Sequence, residues 1–418
     1  MHTPPLDSWD AAGILRRLDQ LALCTETPGE ITRLFLTPEH QAAIALVSGW
    51  MQHAGLTTML DASATLIGRL PAQRAGAPTL MLGSHIDTVR KAGRYDGCLG
   101  VLLAIAAAAQ LGRHALPYHL EIRAFGDEEG VRFPVTLTGA HAAAGSFQAE
   151  WLETTDATGE TLGQALRSFG LNPASLAANT CAGNAFAYLE IHIEQGPVLE
   201  SQNAPLGIVT AINGAIRMEI SVAGQAGHAG TVPMAQRRDA LAAAAEMVLA
   251  IEAIAHAGAQ AGVTATVGRL WVSPDATNVI PGACVFTLDL RAPTDALRDQ
   301  TTADTLASLQ AIAAARGVGL SHRQTHAAAA AACDARLQSA LADTLQTMNL
   351  PVIRLPSGAG HDAMVMARHC PVGMLFVRCR GGISHHPDEY VTEADVALAL
   401  DATTATLRAV APGEFPMG

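Results

Sequence analysis

Lysine is all but missing from this 418-residue chain: Lys91 is the only one, and arginine carries almost all the positive charge. Acidic residues outnumber Lys and Arg by 38 to 26, for a formal net charge of −12, and no basic cluster or aromatic-interleaved stripe occurs. The missing basic footprint argues against nucleic acid as a partner. Cysteine offers no scaffold either. There are seven, an odd number, scattered and without a CxxC pair, which excludes a disulfide framework and a zinc ribbon. Long apolar runs are also wanting, since none reaches membrane-spanning length without interruption. The start, MHTPPLDSWD, lacks a basic segment followed by an apolar one. The expectation is a cytoplasmic protein without a membrane segment.

What is present is core material. Hydrophobic residues make up 49% and charged residues only 15%, and the length suggests two or three structural units. Arginine offers a fixed fork suited to carboxylates, so an arginine gripping an acidic substrate is worth seeking. Sixteen histidines are many for this size, and only their placement can promote a few to ligands.

Along the chain, helix signals fill Trp9–Gly55, with Ser8 as a candidate cap and a second helix over Pro38–His53. Strand patterns follow at Ala64–Leu70, Thr79–Gly83 and Tyr118–Phe125, with an alanine-rich helix over Leu99–Leu111 between the last two. More strands are expected at Ala187–Ile193 and Leu206–Ile212. Alternating strands and helices predict an α/β domain whose loops meet at the carboxyl ends of strands. From Gly214 the order changes to strand, helix, two strands, helix, strand, the βαββαβ order of a ferredoxin-like unit. The predicted organisation is a discontinuous domain, residues 1–212 and 328–418, with residues 213–327 inserted.

Ionisable residues gather just beyond the predicted strands. His85 and Asp87 lie in GSHIDTV, Asp96 in GRYDG, and Glu128 with Glu129 in GDEEG. His192 and Glu194 lie in HIEQG, and His385 with His386 in GISHHPDE. Any one of these reads as a turn former or a structural histidine. Five together on an α/β scaffold point to a metal centre. Nitrogen and carboxylate donors without cysteine suit zinc, manganese or cobalt. Two histidines and a carboxylate hold one ion, and a shared aspartate lets a second sit about 3.5–4 Å away.

Taken together, GSHIDTV, GRYDG, DEEG, HIEQGPVLE, GHAGT, NVIPG, GAGHDA and GISHHPDE resemble the hydantoinase/carbamoylase branch of the dinuclear-zinc amidohydrolases. That branch includes N-carbamoyl-L-amino acid hydrolases, β-ureidopropionases and allantoate amidohydrolases. The resemblance runs from about residue 80 to about residue 390. It implies a mixed-sheet metallohydrolase domain carrying a ferredoxin-like lid and dimerisation domain, and a homodimer formed through that lid. It implies two divalent ions bridged by Asp96 and a water or hydroxide. His85 and His192 would hold one ion with Asp96, and Glu129 and His385 would complete the other. Glu128 would move the proton, and Asp87 would orient His85. Histidine at 192, where dinuclear peptidases of this fold place an acid, favours the carbamoylase branch.

In the inserted domain, His228 of AGHAGT could stabilise an oxyanion, Asn278 could offer its amide to a ureido group, and Arg291 could hold a carboxylate. The resemblance makes all three substrate contacts, with Gln195 and the backbone at Gly360. Ala215 departs from the pattern, because many relatives carry glutamine near it. Cys98, just after Asp96 and Gly97, reads either as a thiol near the metals or, the favoured reading, as a small residue packing the start of its helix. The implied activity is hydrolysis of a terminal ureido C–N bond in a small carboxylate-bearing substrate. N-Acyl-amino-acid deacylation or peptide hydrolysis on the same scaffold is the alternative.

Overall fold

The computed structural model describes residues 8–113, 115–178, 181 and 184–415. Most of the N-terminal stretch read above for a leader, and the last three residues, lie outside that set. The chain divides into two compact units. One comprises residues up to Thr210, Cys333–Leu355 and His361 onward; the other comprises Ala211–Ala332 with Pro356–Gly360.

The first unit is a mixed α/β structure. Its strands in chain order are β1 (Thr57–Leu60), β2 (Leu66–Leu70), β3 (Thr79–His85), β4 (His119–Phe125), β5 (Ala185–Ile193) and β6 (Leu206–Ile212). The second unit supplies β7 (Gly214–Ala223), β8 (Gly227–His228), β9 (Thr264–Thr266), β10 (Leu270–Ser273), β11 (Val279–Ile280), β12 (Ala283–Ala292), β13 (Gly319–Ala328) and β14 (Ala331–Ala332). After it come β15 (Arg354–Ser357) and β16 (Val372–Val377).

In the first unit the strands lie in the order β1-β2-β4-β3-β5-β16-β6. The four middle strands, β4, β3, β5 and β16, are mutually parallel, while β2 and β6 flank them antiparallel. Parallel strands put their carboxyl ends on one edge, and that edge carries the site. β5 shows why the sequence folds this way. It is buried along nearly its whole length, and the period of two separates its residues. Leu189, Ile191 and Ile193 face the main core, and Tyr188, Glu190 and His192 face the other way. The helix Cys98–Leu111 packs on the sheet so closely that a Cβ at Gly100 would lie 1.9 Å from the Ile191 carbonyl oxygen.

The second unit contains an antiparallel sheet in the order β10-β12-β7-β13, with β9 also pairing to β12. The helices Ala240–Gly258 and Asp295–Arg316 supply Met247, Ile251 and Leu309 to its core, against Phe286, Leu288 and Leu290 of β12. Alternation along β12 leaves Asp289 and Arg291 on the opposite face. Ala331 and Ala332 pair antiparallel with Ile212 and Ala211, where the chain enters and leaves the unit. Among the described residues one helical stretch, Ala240–Ala261, is long and apolar enough by composition to cross a membrane. It is interrupted by Glu246 and Glu252, and one of its faces lies in this core.

Some local expectations differ. The first helix is capped by Asp10, whose Oδ1 accepts from the Gly13 amide at 2.7 Å and from the Ser8 hydroxyl. A strand at Thr57–Leu60 and the β8/β11 ribbon were not legible as strands. The first of the two strands expected between the helices of the inserted unit breaks into β9 and β10 around Gly268.

Gly100→Ala is expected to destabilise the protein by about 1–3 kcal/mol, because the methyl meets backbone rather than a movable side chain. Gly49→Ala, exposed in the helix Pro38–His53 with open space around it, should instead stabilise by roughly 0.5–1 kcal/mol. Paired denaturant melts check both signs.

Candidate metal centre

Every predicted ligand of the first unit lies at or just beyond a parallel strand's carboxyl end. His85 ends β3, Glu128 and Glu129 follow β4, His192 is the penultimate residue of β5, and His385 sits in the loop after β16. Asp96 comes from the loop between β3 and the next helix. There Gly97 has φ +64, and a Cβ on it would meet the His85 ring at 2.5 Å. Only glycine allows that turn and that approach.

Among the described residues four sets of donor atoms converge, each within 4.8 Å: His85, Asp96 and His192; His85, Glu128 and Glu129; Asp96, Glu129 and His385; and Glu190, His192 and His361. Asp96 is common to two of them. Its Oδ1 lies 3.2 Å from His192 Nε2 and its Oδ2 lies 3.1 Å from His385 Nε2. His85 Nδ1 faces the Asp87 carbonyl oxygen at 3.1 Å, and His192 Nδ1 faces the Ile193 carbonyl oxygen at 3.0 Å. Those carbonyls hold the protons on Nδ1 and leave the Nε2 atoms, 3.4 Å apart, turned inward. His386 points elsewhere, towards exposed Asp388.

Asp87 does touch His85, but through its backbone. Its carboxylate accepts the amides of Glu128 and Glu129, each at 3.2 Å, and lies 3.9 Å from His85 Nδ1. Gln195, with φ +57, directs its amide to Asp96 Oδ2 and the Ser384 hydroxyl, both at 3.1 Å. Cys98 is buried and accepts from Arg33 at 3.1 Å, and burial pushes its thiol up to about 11.

The electrostatics are those of an acid-rich pocket. Among the described residues no lysine or arginine pairs with Asp87, Asp96, Glu128 or Glu129. Burial, then Glu129 and Asp362, hold the Glu128 carboxyl well above the ordinary range. Burial and Asp96 push Glu129 up to about 8. Burial also acts on Asp96, yet His192 and His385 outweigh it and hold Asp96 well below the usual value. Burial opposes the charge on His192, but contact with Asp96 pushes it up to about 9; His385 reaches about 9 through the same carboxylate. Three imidazoles and three acids at this spacing fit divalent cations of the zinc, manganese or cobalt kind.

Sequence reasoning passed over four neighbours. Glu190 lies two residues before His192 on the same strand face, accepting from Ser84, Tyr188 and the Ala363 amide. His361 packs its ring on His192 with centroids 4.5 Å apart, and Asp362 beside it is wholly buried. Glu389 reaches the amides of Tyr95 and Asp96. The period of two in β5 could have flagged Glu190; nothing in PDEY singled out Glu389.

In the second unit, His228 and Asn278 are exposed and share the β8/β11 ribbon, where the Ala229 amide donates to the Asn278 carbonyl oxygen. Arg291 belongs to a different sheet. It lines a cavity of about 650 Å³ with Arg217, Asp289 and several threonines. Its Nε and Nη2 donate to Asp289, and its Nη1 donates to the Gly358 carbonyl oxygen at 2.7 Å. Gly360 lies in the same short segment as Gly358.

A histidine–carboxylate centre on the carboxyl edge of a mixed sheet defines a hydrolase of the metal-dependent kind. Residues 81–409 match the model of peptidase family M20/M25/M40. A probable allantoate deiminase of Oryza sativa subsp. japonica is 41% identical over 91% of this chain and 84% of its own. An N-carbamoyl-L-amino acid amidohydrolase of Geobacillus stearothermophilus is 39% identical over 96% of this chain and 98% of its own. The crystal structure of a hydantoinase/carbamoylase family amidase from Burkholderia multivorans superposes with a TM-score of 0.90 at 32% identity, covering 97% of this chain and 98% of that one. The chain belongs to peptidase family M20/M25/M40 and, within it, to the hydantoinase/carbamoylase amidases.

At neutral pH without a cation, His192, His385 and Glu129 hold protons, since all three titrate at about 8 to 9. A divalent ion must displace them, so zinc binding should release protons at pH 7 and weaken as pH falls below about 9. Calorimetric zinc titrations in buffers of different ionisation enthalpy count those protons, and a net release of zero would contradict the assignment.

Proposed function

We propose that this amidohydrolase cleaves the terminal carbamoyl C–N bond of a small ureido carboxylate, allantoate or an N-carbamoyl-L-amino acid, releasing ammonia and carbon dioxide. The observation that carries the reading is the convergence of His85, Asp96, Glu128, Glu129, His192 and His385 on one strand edge. The names of the rice and Geobacillus relatives support the substrate class.

In this reading His85, His192 and Asp96 hold one divalent ion, and Asp96, Glu129 and His385 hold a second; zinc, manganese and cobalt all accept such donors. Ions held there would supply Lewis-acid chemistry, activating a water and polarising the substrate carbonyl. Glu128 takes the proton from that water as its oxygen attacks the carbamoyl carbon. The environment that raises Glu128 also suits it to return the proton to the leaving nitrogen. Asp87, fixed on the amides of both glutamates, keeps Glu128 and Glu129 in register. His228 donates to the developing oxyanion, Asn278 and Gln195 hold the ureido group, and the Gly360 backbone completes the pocket. Arg291 selects the carboxylate. Three of its five N–H groups go to Asp289 and Gly358, leaving one on each Nη, the end-on fork that a carboxylate fits.

Residues 1–212 and 328–418 form the catalytic domain of this proposal, and 213–327 the ferredoxin-like lid. The strand and helix order of the second unit supports the lid assignment. The lid excludes water on closure and forms a homodimer, and the enzyme works in the cytoplasm.

Ammonia release from allantoate, N-carbamoyl-L-amino acids and 3-ureidopropionate, set against acetate release from N-acetyl amino acids, tests the class. Preference for the acetyl series would replace this reading with a deacylase. Glu128→Gln should keep its metal and lose at least about 10²–10⁴ in kcat. Glu129→Ala should lose metal by elemental analysis. Arg291→Ala should raise KM for acidic substrates, and an unchanged KM would remove the clamp.

A further inference from the structure

Glu389 lies three residues beyond His386, yet it is only 4% exposed and reaches a loop nearly 300 positions earlier. Its Oε1 accepts from the amides of Tyr95 at 2.8 Å and Asp96 at 3.1 Å. Its Oε2 accepts from the Ser384 hydroxyl at 2.9 Å, and that hydroxyl also lies 3.3 Å from Asp96 Oδ2. One side chain therefore grips the backbone at Asp96 and the residue just before His385. Neither loop has regular structure to hold it, and His385 itself sits at φ +55. Room for the grip comes from Gly93, where a Cβ would lie 2.3 to 2.4 Å from Glu389 Cβ, Cδ and Oε1.

We propose that Glu389 is a positioning residue that sets Asp96 against His385, so that the shared carboxylate and the exposed histidine are pre-aligned for one cation. The inference rests on the metal reading above and assigns a function to the Gly93–Glu389 contact. Asp87 is its counterpart across the site: each carboxylate collects two successive amides of a ligand-bearing loop. Glutamine at 389 keeps one oxygen for the amides and can donate to the serine oxygen. Alanine keeps neither, and aspartate is one methylene too short to span both loops.

The test loads the full-length protein with zinc and follows metal loss to a chromophoric chelator, alongside thermal unfolding before and after stripping. The wild type is expected to hold two zinc ions. Glu389→Ala should lose the ion between Asp96 and His385 about 10- to 100-fold more readily, and the other, which shares Asp96, by a smaller factor. Glu389→Gln should restore retention to within a few-fold. A merely structural residue would lower the melting temperature of the stripped protein and leave both zinc affinities alone. Wild-type retention of both ions by Glu389→Ala overturns the inference, whereas failure of the wild type to hold zinc overturns the metal reading itself. Should Glu389→Ala fail to fold, Gly93→Ala, whose methyl displaces the same carboxylate, is scored by the same criterion, and unchanged retention again overturns the proposal.

Discussion

A carboxylate withdrawn from water must be met by donors, by a proton or by a cation. The carboxyl edge of the first sheet withdraws many, and each finds a different answer. Asp87 takes two amides, and Glu389 takes two amides and a hydroxyl. Glu190 takes a tyrosine, a serine and an amide. Among the described residues Asp96 has only imidazoles and the Gln195 and Ser384 side chains against it, and Glu128 has no donor beyond a distant His85. Among the described residues Asp96 and Glu128 lack the backbone amides that meet Asp87, Glu190 and Glu389, and both belong to the converging sets, while buried Asp362, outside those sets, has a partner on neither oxygen. That imbalance suits the edge to a cation rather than to a salt-bridge network.

Much of this was legible because buried parallel strands read as apolar runs. Leu80–Leu82 and Val372–Val377 announce themselves in this way, while Leu120–Phe125 shows by alternation, with Glu121 and Arg123 between its apolar residues. His85 and the DEEG loop are visible because they close such strands. What stayed hidden depends on distance. PDEY reads as an ordinary turn, and only the fold brings Glu389 to the Tyr95 amide. The β8/β11 ribbon is two residues per strand, too short for any period to show. Ser8 and Asp10 both suit a cap, and the geometry decides by giving Asp10 the Gly13 amide and using Ser8 to hold Asp10.

The single lysine acquires a physical sense in the interior. Arg33 is 1% exposed and meets no carboxylate; it spends its N–H groups on the carbonyls of Ile86, Leu21 and Cys24 and on the Cys98 sulfur. Its own backbone pairs with Thr88 in both directions. It thus ties the segment just after His85 to the start of the helix that follows Asp96. An ammonium offers three donors at one point and could not span these four acceptors. Arg291 uses the same geometry differently, spending three N–H groups on the protein and keeping two in a planar fork. A guanidinium fixed in this way loses little entropy when a carboxylate arrives. Arginine therefore holds the loop of Asp96 from behind and, in the proposed reading of Arg291, would present a preset anion receptor, and each task depends on a rigid plane of donors.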